Sequence, residues 1–177
     1  GRTYNTQVLY DGEGVQRAVY RKIHLFDVEL SDGQVFRESG SVAAGAEVVS
    51  ADVGAFHVGM SICYDLRFAE LYRMLSARGA HVLTVPSAFT AQTGQAHWHA
   101  LLQARAIENQ CYVLAPDQWG NHYGRRLSYG QSVIYDPWGA RVACVSDGEG
   151  VAVATLDRAY LDRVRAGLPC LSHRVLV

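Results

Sequence analysis

The stretch "GMSICYDLRFAEL", Gly59 to Leu71, places a thiol, Cys63, at the end of a short apolar run and directly before a helix-like segment. A thiolate so placed can attack an amide carbonyl and pass through a covalent intermediate. A strand-to-helix turn lifts a side chain to the carboxyl end of a sheet, the edge at which open α/β folds bind ligands. The unpaired N–H groups and dipole of a helix N-terminus favour an anion, so they can lower a thiol pKa from about 8.5 and donate to a developing oxyanion. Tyr64, next after the sulfur, carries the expected donor N–H. The competing reading of Cys63 is a small buried hydrophobe, the usual state of a free cysteine. The β-to-α junction shifts the balance toward a nucleophile. Cys111, which opens an apolar strand, and Cys144 and Cys170, which lack comparable polar surroundings, read as structural.

A thiol alone does not complete a hydrolytic site. Upstream, "YRKIHLFDVEL" supplies Lys22 and "FRESGSVAAG" supplies Glu38. Taken alone, a lysine at a strand end and a glutamate in a Gly/Ser loop are ordinary solvated charges. "SAFTAQTG", Ser87 to Gly94, follows a strand at the same sheet edge as Cys63, so Phe89 is the expected wall of a substrate pocket. His97 and His99 stand two apart, which on a helix points them to different faces and argues against a metal pair. Arg67 and Glu70, three apart, read as an exposed pair worth about 0.2–0.5 kcal/mol.

The elements that must position these groups are legible from periodicity. "TQVLY" and "VQRAVYRKI", joined by "DGEG", read as a hairpin that ends near Lys22. Residues 27–47 are rich in Gly, Ser and Asp and predict a long loop or short irregular strands, and loops of that kind inside compact domains are often functional. "FHVGMSI", "DLRFAELYRMLSARG", "HVLTVPS", "HWHALLQARAIEN" and "CYVLAP" then alternate as β-α-β-α-β. In the first helix Phe68, Leu71, Tyr72 and Leu75 share a face, and Gly79 sits where a glycine cap belongs. From residue 128, "SYGQSVIYD", "ARVACV" and "GVAVATLD" predict strands, "DPWG" a turn, and Tyr160 to Arg165 a final helix. The fold class expected is α/β with a mixed sheet.

With 177 residues, 49% of them hydrophobic, the chain can bury a sizeable core and reads as one domain or part of one. Lys plus Arg number 16 against 17 Asp plus Glu, and no basic stripe stands out, so no nucleic acid partner is expected. The apolar runs fall well short of the roughly 20 residues that cross a bilayer, so no membrane span is expected either. The opening residues read as a strand already under way rather than a signal peptide. Four widely spaced cysteines without CxxC pairs argue against a zinc ribbon or a disulfide framework and fit a reducing cytoplasm.

Together, "YRKIHLFDVEL", "FRESGS", "SICYDLRFAELYRMLSARGAHVLTVPSAF", "TGQAHWHALLQARAIENQCYV" and "YGQSVIYDPWG" resemble, in order, the nitrilase superfamily of carbon–nitrogen hydrolases, and within it the Nit branch of deaminated glutathione amidases. The resemblance implies an α-β-β-α sandwich and a Glu-Lys-Cys site that cleaves the C–N bond of a small linear amide through a thioester, releasing ammonia without a cofactor or metal. Cys63 matches the nucleophile, Lys22 the catalytic lysine that stabilises the oxyanion together with the Tyr64 N–H, and Glu38 the supporting second glutamate. The family's general-base glutamate lies well upstream of the lysine. The only carboxylates before Lys22 here are Asp11 and Glu13, both in the turn, and neither fits that motif. The chain therefore reads as an N-terminally truncated, partial domain over 1–177, catalytically impaired on its own and a homo-oligomer when full length.

Omega-amidase, N-carbamoyl amino acid amidohydrolase and nitrilase activities share this chemistry and are the nearest alternatives. An alternative of another class is a non-catalytic binding or assembly module lacking the general base. Retention of both Cys63 and Lys22 speaks for the enzyme.

Overall fold

In the computed structural model, which describes residues 1–30, 33–124 and 126–176, the site is built where the ends of three parallel strands meet an N-terminal hairpin. The chain opens with β1 (Thr3–Tyr4) and the antiparallel pair β2 (Thr6–Tyr10) and β3 (Gln16–Arg21). Their turn is held by Asp11, whose Oδ1 accepts the Glu13 and Val15 N–H groups. The Gly/Ser-rich segment forms a short antiparallel pair, β4 (Asp27–Glu29) and β5 (Val35–Arg37), then the 3-10 turn Glu38–Gly40 and β6 (Val42–Ala43). Ser31 and Asp32 of the predicted 27–47 loop lie outside the described residues.

Next come β7 (Ser50–Val53), β8 (Phe56–Met60), the 3-10 turn Cys63–Arg67, α1 (Ala69–Ala77), β9 (Val82–Thr84), α2 (Ala91–Asn109) and β10 (Tyr112–Ala115). The pair β11 (Trp119–His122) and β12 (Arg126–Tyr129) precedes β13 (Val133–Tyr135), β14 (Arg141–Cys144) and α3 (Arg158–Gly167). One six-stranded mixed sheet runs β14-β13-β10-β9-β8-β7, with β8, β9 and β10 parallel and the outer pairings antiparallel.

Helices α1 and α2 cover one face of this sheet through Leu71, Tyr72, Leu75, Trp98, Leu102 and Ala106, which pack on Leu83, Val85 and Val113. The opposite face receives Leu161 of α3 and Leu9 of β2 against Val58, Val82 and Tyr112. Near the strand ends, Tyr20 and Ala18 of β3 pack on Met60 and Ile62. The strands β2-β3 and β1-β6 form two separate two-stranded sheets.

The α1 apolar face and its stop are as the periodicity predicts. Gly79 at φ +91° ends the helix, its N–H donating to Ser76 O while Ala80 N–H donates to Leu75 O. This is the paired closure that a left-handed glycine permits. Two expectations are corrected. The helix predicted over residues 65–79 starts as a 3-10 turn, and Phe68, extended at φ −105° and ψ 92°, separates that turn from α1. The predicted strand Gly150–Asp157 pairs with no described neighbour: its residues alternate in exposure, with Val151 and Val153 in solvent, but form no ladder. "SYGQSVIYD" is divided between β12 and β13 by Gly130 and Gln131, both at positive φ.

Candidate active site

The thiol is delivered by a strained turn. After β8 the chain continues through Ser61 and Ile62, and Cys63 takes φ +50°, a left-handed conformation in which only a few per cent of non-glycine residues are found. Cys63 N–H donates to Pro86 O at 3.0 Å, tying the turn to the segment that follows β9. The other restraint is Asp65, fully buried, whose Oδ2 accepts Ile62 N–H (2.8 Å) and the Tyr20 hydroxyl (2.7 Å). Its Oδ1 accepts His24 N–H (3.0 Å) and bonds His24 Nδ1 (2.7 Å). Burial first, then the Asp65 charge, push the Tyr20 phenol far above its usual range, so it remains a donor. A buried carboxylate is tolerated when its lone pairs are filled in this way. Here the filling also fixes the end of β3 relative to the thiol.

That strand end carries Lys22. Its side chain is only 3% exposed, and Nζ pairs with Glu38 Oε2 at 2.5 Å. Glu38 opens the 3-10 turn after β5 and also accepts Phe26 N–H (2.6 Å) and Asn5 Nδ2 (3.2 Å). Burial alone would raise its pKa, but the Lys22, Phe26 and Asn5 donors outweigh that and hold the carboxyl below its ordinary value. Lys22 and Glu38, solvated charges when read locally, are a desolvated pair oriented by three separate segments.

Lys22, Glu38 and Cys63 line one open cleft of about 1400 Å³, together with Asn5, Phe26 and Ala88. The structure thus brings the two predicted charged residues to the predicted thiol. Tyr64 and Phe89 border a narrower apolar pocket that also opens on Cys63. Phe89 is 4% exposed and packs on Trp98, with ring centroids 5.1 Å apart. Among the described residues the Tyr64 N–H has no intramolecular acceptor. The expected Arg67–Glu70 pair is absent among the described ion pairs. The Arg67 guanidinium instead lies 5.2 Å from the Phe89 ring centroid, and its Nη1 is 3.3 Å from His97 Nδ1. His99 bonds the Tyr135 hydroxyl at 3.0 Å, and no cluster of metal-ligating residues occurs among the described residues.

The electrostatics of the thiol differ from expectation. Because the turn is 3-10 and α1 begins only at Ala69, the sulfur does not sit at the N-terminus of α1. Burial raises the Cys63 pKa above its ordinary value, and the Lys22 cation and the Ala88 N–H offset this only partly. The carboxylate of Asp117 also opposes ionisation of the thiol. Asp65, Asn5 and Asp117 are the site residues that sequence reasoning missed. Asp65 had a weak local signal, a carboxylate three positions after the residue whose N–H it caps. Asn5 and Asp117 act through partners distant in sequence and had none.

The carbon-nitrogen hydrolase family profile matches residues 1–166. The chain belongs to this family. Among its relatives, the deaminated glutathione amidase of Synechocystis sp. (strain PCC 6803 / GT-S) is 50% identical over 180 residues, covering 100% of this chain and 66% of that protein. The crystal structure of the Caenorhabditis elegans NitFhit protein superposes with a TM-score of 0.92 at 47% identity, covering 98% of this carbon-nitrogen hydrolase chain and 42% of that one. A mutant amidase from Nesterenkonia sp. AN1, solved with acrylamide added at its active site cysteine, is 29% identical with a TM-score of 0.74, covering 93% of this chain and 61% of that one. The chain therefore spans slightly less than two thirds of the length of the Synechocystis protein. The α/β sandwich expected from the motifs is the fold of these neighbours.

Proposed function

We propose that this chain contributes the nucleophile, the cation and the supporting carboxylate of an amidase acting on small linear amides of the deaminated glutathione type. The observation that carries the reading is the buried Lys22–Glu38 pair lining the same cleft as Cys63, a thiol held at positive φ. A hydrophobic role for Cys63 requires neither a desolvated cation nor a strained turn. The cysteine chemistry described for the Nesterenkonia relative supports the same assignment.

In this reading the Cys63 sulfur, having lost its proton to a base, forms a C–S bond to the amide carbonyl carbon. The charge that develops on oxygen faces the Lys22 ammonium and the Tyr64 N–H, donors already fixed before reaction. The C–N bond breaks as the nitrogen takes up a proton and leaves as ammonia, and water then cleaves the thioester to acid and free thiol. Glu38, engaged by three donors and held ionised, keeps Lys22 in place and does not take the thiol's proton. Burial raises the Cys63 pKa, so a base must take the thiol's proton, an assistance worth about 10²–10⁴-fold. Asp11, held in the β2-β3 turn, does not supply that assistance. Localisation in a reducing cytoplasm and pairing with a second copy belong to the same proposal.

The test is mass spectrometry of the chain incubated with deaminated glutathione, α-ketoglutaramate, N-carbamoyl amino acids and nitriles, with ammonia release followed in parallel. An acyl adduct on the Cys63 peptide, absent from Cys63→Ala, is the expected result. Turnover of nitriles alone, or adducts unaffected by Cys63→Ala, would refute the amidase.

A further inference from the structure

Asp117 stands just after β10 in "APDQWG" and is 9% exposed. It lines, with Cys63, Pro86 and Ser87, a cavity on the side of the thiol formed by Asn5, Thr6 and Gln7. Its Oδ1 accepts Phe89 N–H at 2.8 Å, and the nearby Gly130 and Gln118 N–H groups favour the ionised form. Its Oδ2 is buried without a partner among the described residues. A carboxyl that is buried, half-satisfied and beside a thiol is an expensive choice for a merely structural bridge.

What Asp117 restrains is the segment that faces the sulfur. Ser87 N–H donates to Pro116 O and Gln118 N–H to Ser87 O, joining the segment after β9 to the segment after β10 by an isolated parallel bridge. Beyond this pairing, Phe89 N–H turns to Asp117 Oδ1 and Phe89 O accepts Tyr129 N–H at 2.8 Å. The peptide in between belongs to Ala88, which lines the same two pockets as Cys63 and whose N–H favours the thiolate. The carboxyl and the sulfur are therefore linked through two adjacent amides.

We propose that Asp117 is a positioning residue of the Cys63 site: through the Phe89 N–H it holds the Ala88–Phe89 backbone so that the Ala88 N–H donates to the sulfur. The inference rests on Cys63 being the reacting group. The arrangement also makes the link responsive to pH. Burial, only partly offset by the three N–H donors, raises the Asp117 pKa to about 7, so the acceptor's charge changes near neutrality. The other titratable groups around it are Cys63 in the same cavity, Lys22 and Glu38 in the larger cleft, and His122, whose Nε2 bonds Ser128 at 2.9 Å on β12.

The test compares Asp117→Asn, which keeps an oxygen for the Phe89 N–H, with Asp117→Ala, which does not. Alkylation of Cys63 by iodoacetamide is followed by peptide mass spectrometry from pH 6 to about 10, a range spanning the ordinary thiol pKa. The Asn variant is expected to alkylate at or below the pH of the parent chain, since a nearby negative charge is gone. The Ala variant is expected to react about fivefold or more slowly than Asn near pH 8, because the thiolate has lost a hydrogen-bond donor. Coincident Asn and Ala profiles in folded proteins overturn the proposal. Should Ala fail to fold, amide NMR of the parent and Asn chains decides. The Phe89 and Ala88 signals should titrate together with a midpoint of about 7 in the parent, and Ala88 should lose that step in Asn. An Ala88 signal unchanged through neutrality overturns the link. A parent Cys63 rate that Lys22→Met leaves unchanged counts instead against the amidase reading, and the Asn–Ala difference still decides Asp117.

Discussion

Cys63 and Cys111 occupy opposite ends of the same parallel sheet, one just after β8 and the other just before β10. Cys111 is fully buried and Cys63 partly so, and both have a cation nearby, Lys22 for Cys63 and Arg165 for Cys111. Burial nevertheless pushes the Cys111 thiol up to about 12. The Cys111 S–H is committed to Ala80 O and Asn109 O, each at 3.1 Å, while Arg165 bonds Ala80 O and Gln110 O. At the Cys63 end the cation is paired only with a carboxylate, and a cleft opens between lysine and sulfur. A neighbouring positive charge does not by itself make a reactive thiol. Access and an uncommitted sulfur decide, and these follow from which strand end the helices leave open.

Four measurements break or sharpen that contrast. The largest difference expected is in alkylation of the folded chain: Cys63 should react at least about 10²-fold faster than Cys111, whose sulfur has no path to solvent. Comparable labelling of the two peptides would erase the distinction. Next, Asp65→Ala leaves the Tyr20 hydroxyl and the Ile62 and His24 N–H groups without their acceptor, a loss of about 3–5 kcal/mol by analogy with other broken buried charge networks. Urea unfolding measures it, and a change below about 1 kcal/mol would show that the turn is held by other means.

Lys22→Met should slow Cys63 alkylation near pH 8 by about tenfold, because the thiolate loses its neighbouring cation, and leave Cys111 untouched. An unchanged Cys63 rate would mean that the ammonium does not act on the sulfur. The smallest effect is in the pH dependence of stability, where Glu38 and Asp117 have opposite signs. Glu38 has a depressed pKa, so its stabilisation is present above its unfolded value and is lost as pH falls through the folded one. Asp117 has a raised pKa, so the fold binds its proton more tightly and stability declines as pH rises from about 3.8 toward about 7. Thermal unfolding of Asp117→Asn should accordingly gain over the parent at pH 8 and not at pH 3.5. A gain that is equal at both would remove the assignment.

The sequence made the parallel core legible because its signals are local: apolar runs of strand length, one amphipathic face at Leu71, Tyr72 and Leu75, and a glycine stop at Gly79. Lys22 and Glu38 were visible through ordered motifs, and only the structure shows why they are desolvated. Periodicity failed where one turn of 3-10 helix precedes an α-helix, since Leu66 through Leu75 stay apolar on one side through the break at Phe68. It failed again at Gly150–Asp157, where alternation is a property of the segment and strand pairing a property of its neighbours. Asp117 was illegible as a site residue because its partner Phe89 is far away in sequence, and Asp65 showed only its local cap on Ile62 while Tyr20 and His24 lie in another segment.

Asp65 also has a consequence for the order of assembly. Its acceptor sites are filled from Tyr20 and His24 on one side and Ile62 on the other, so the thiol and the lysine reach one another only when the first hairpin docks on the sheet. A chain whose helices have packed but whose hairpin has not docked holds Cys63 without Lys22 beside it. On the proposed reading, the cation that stabilises the thiolate is thereby withheld from the half-folded protein, where a loose thiolate would be exposed to stray oxidation and cross-linking during synthesis.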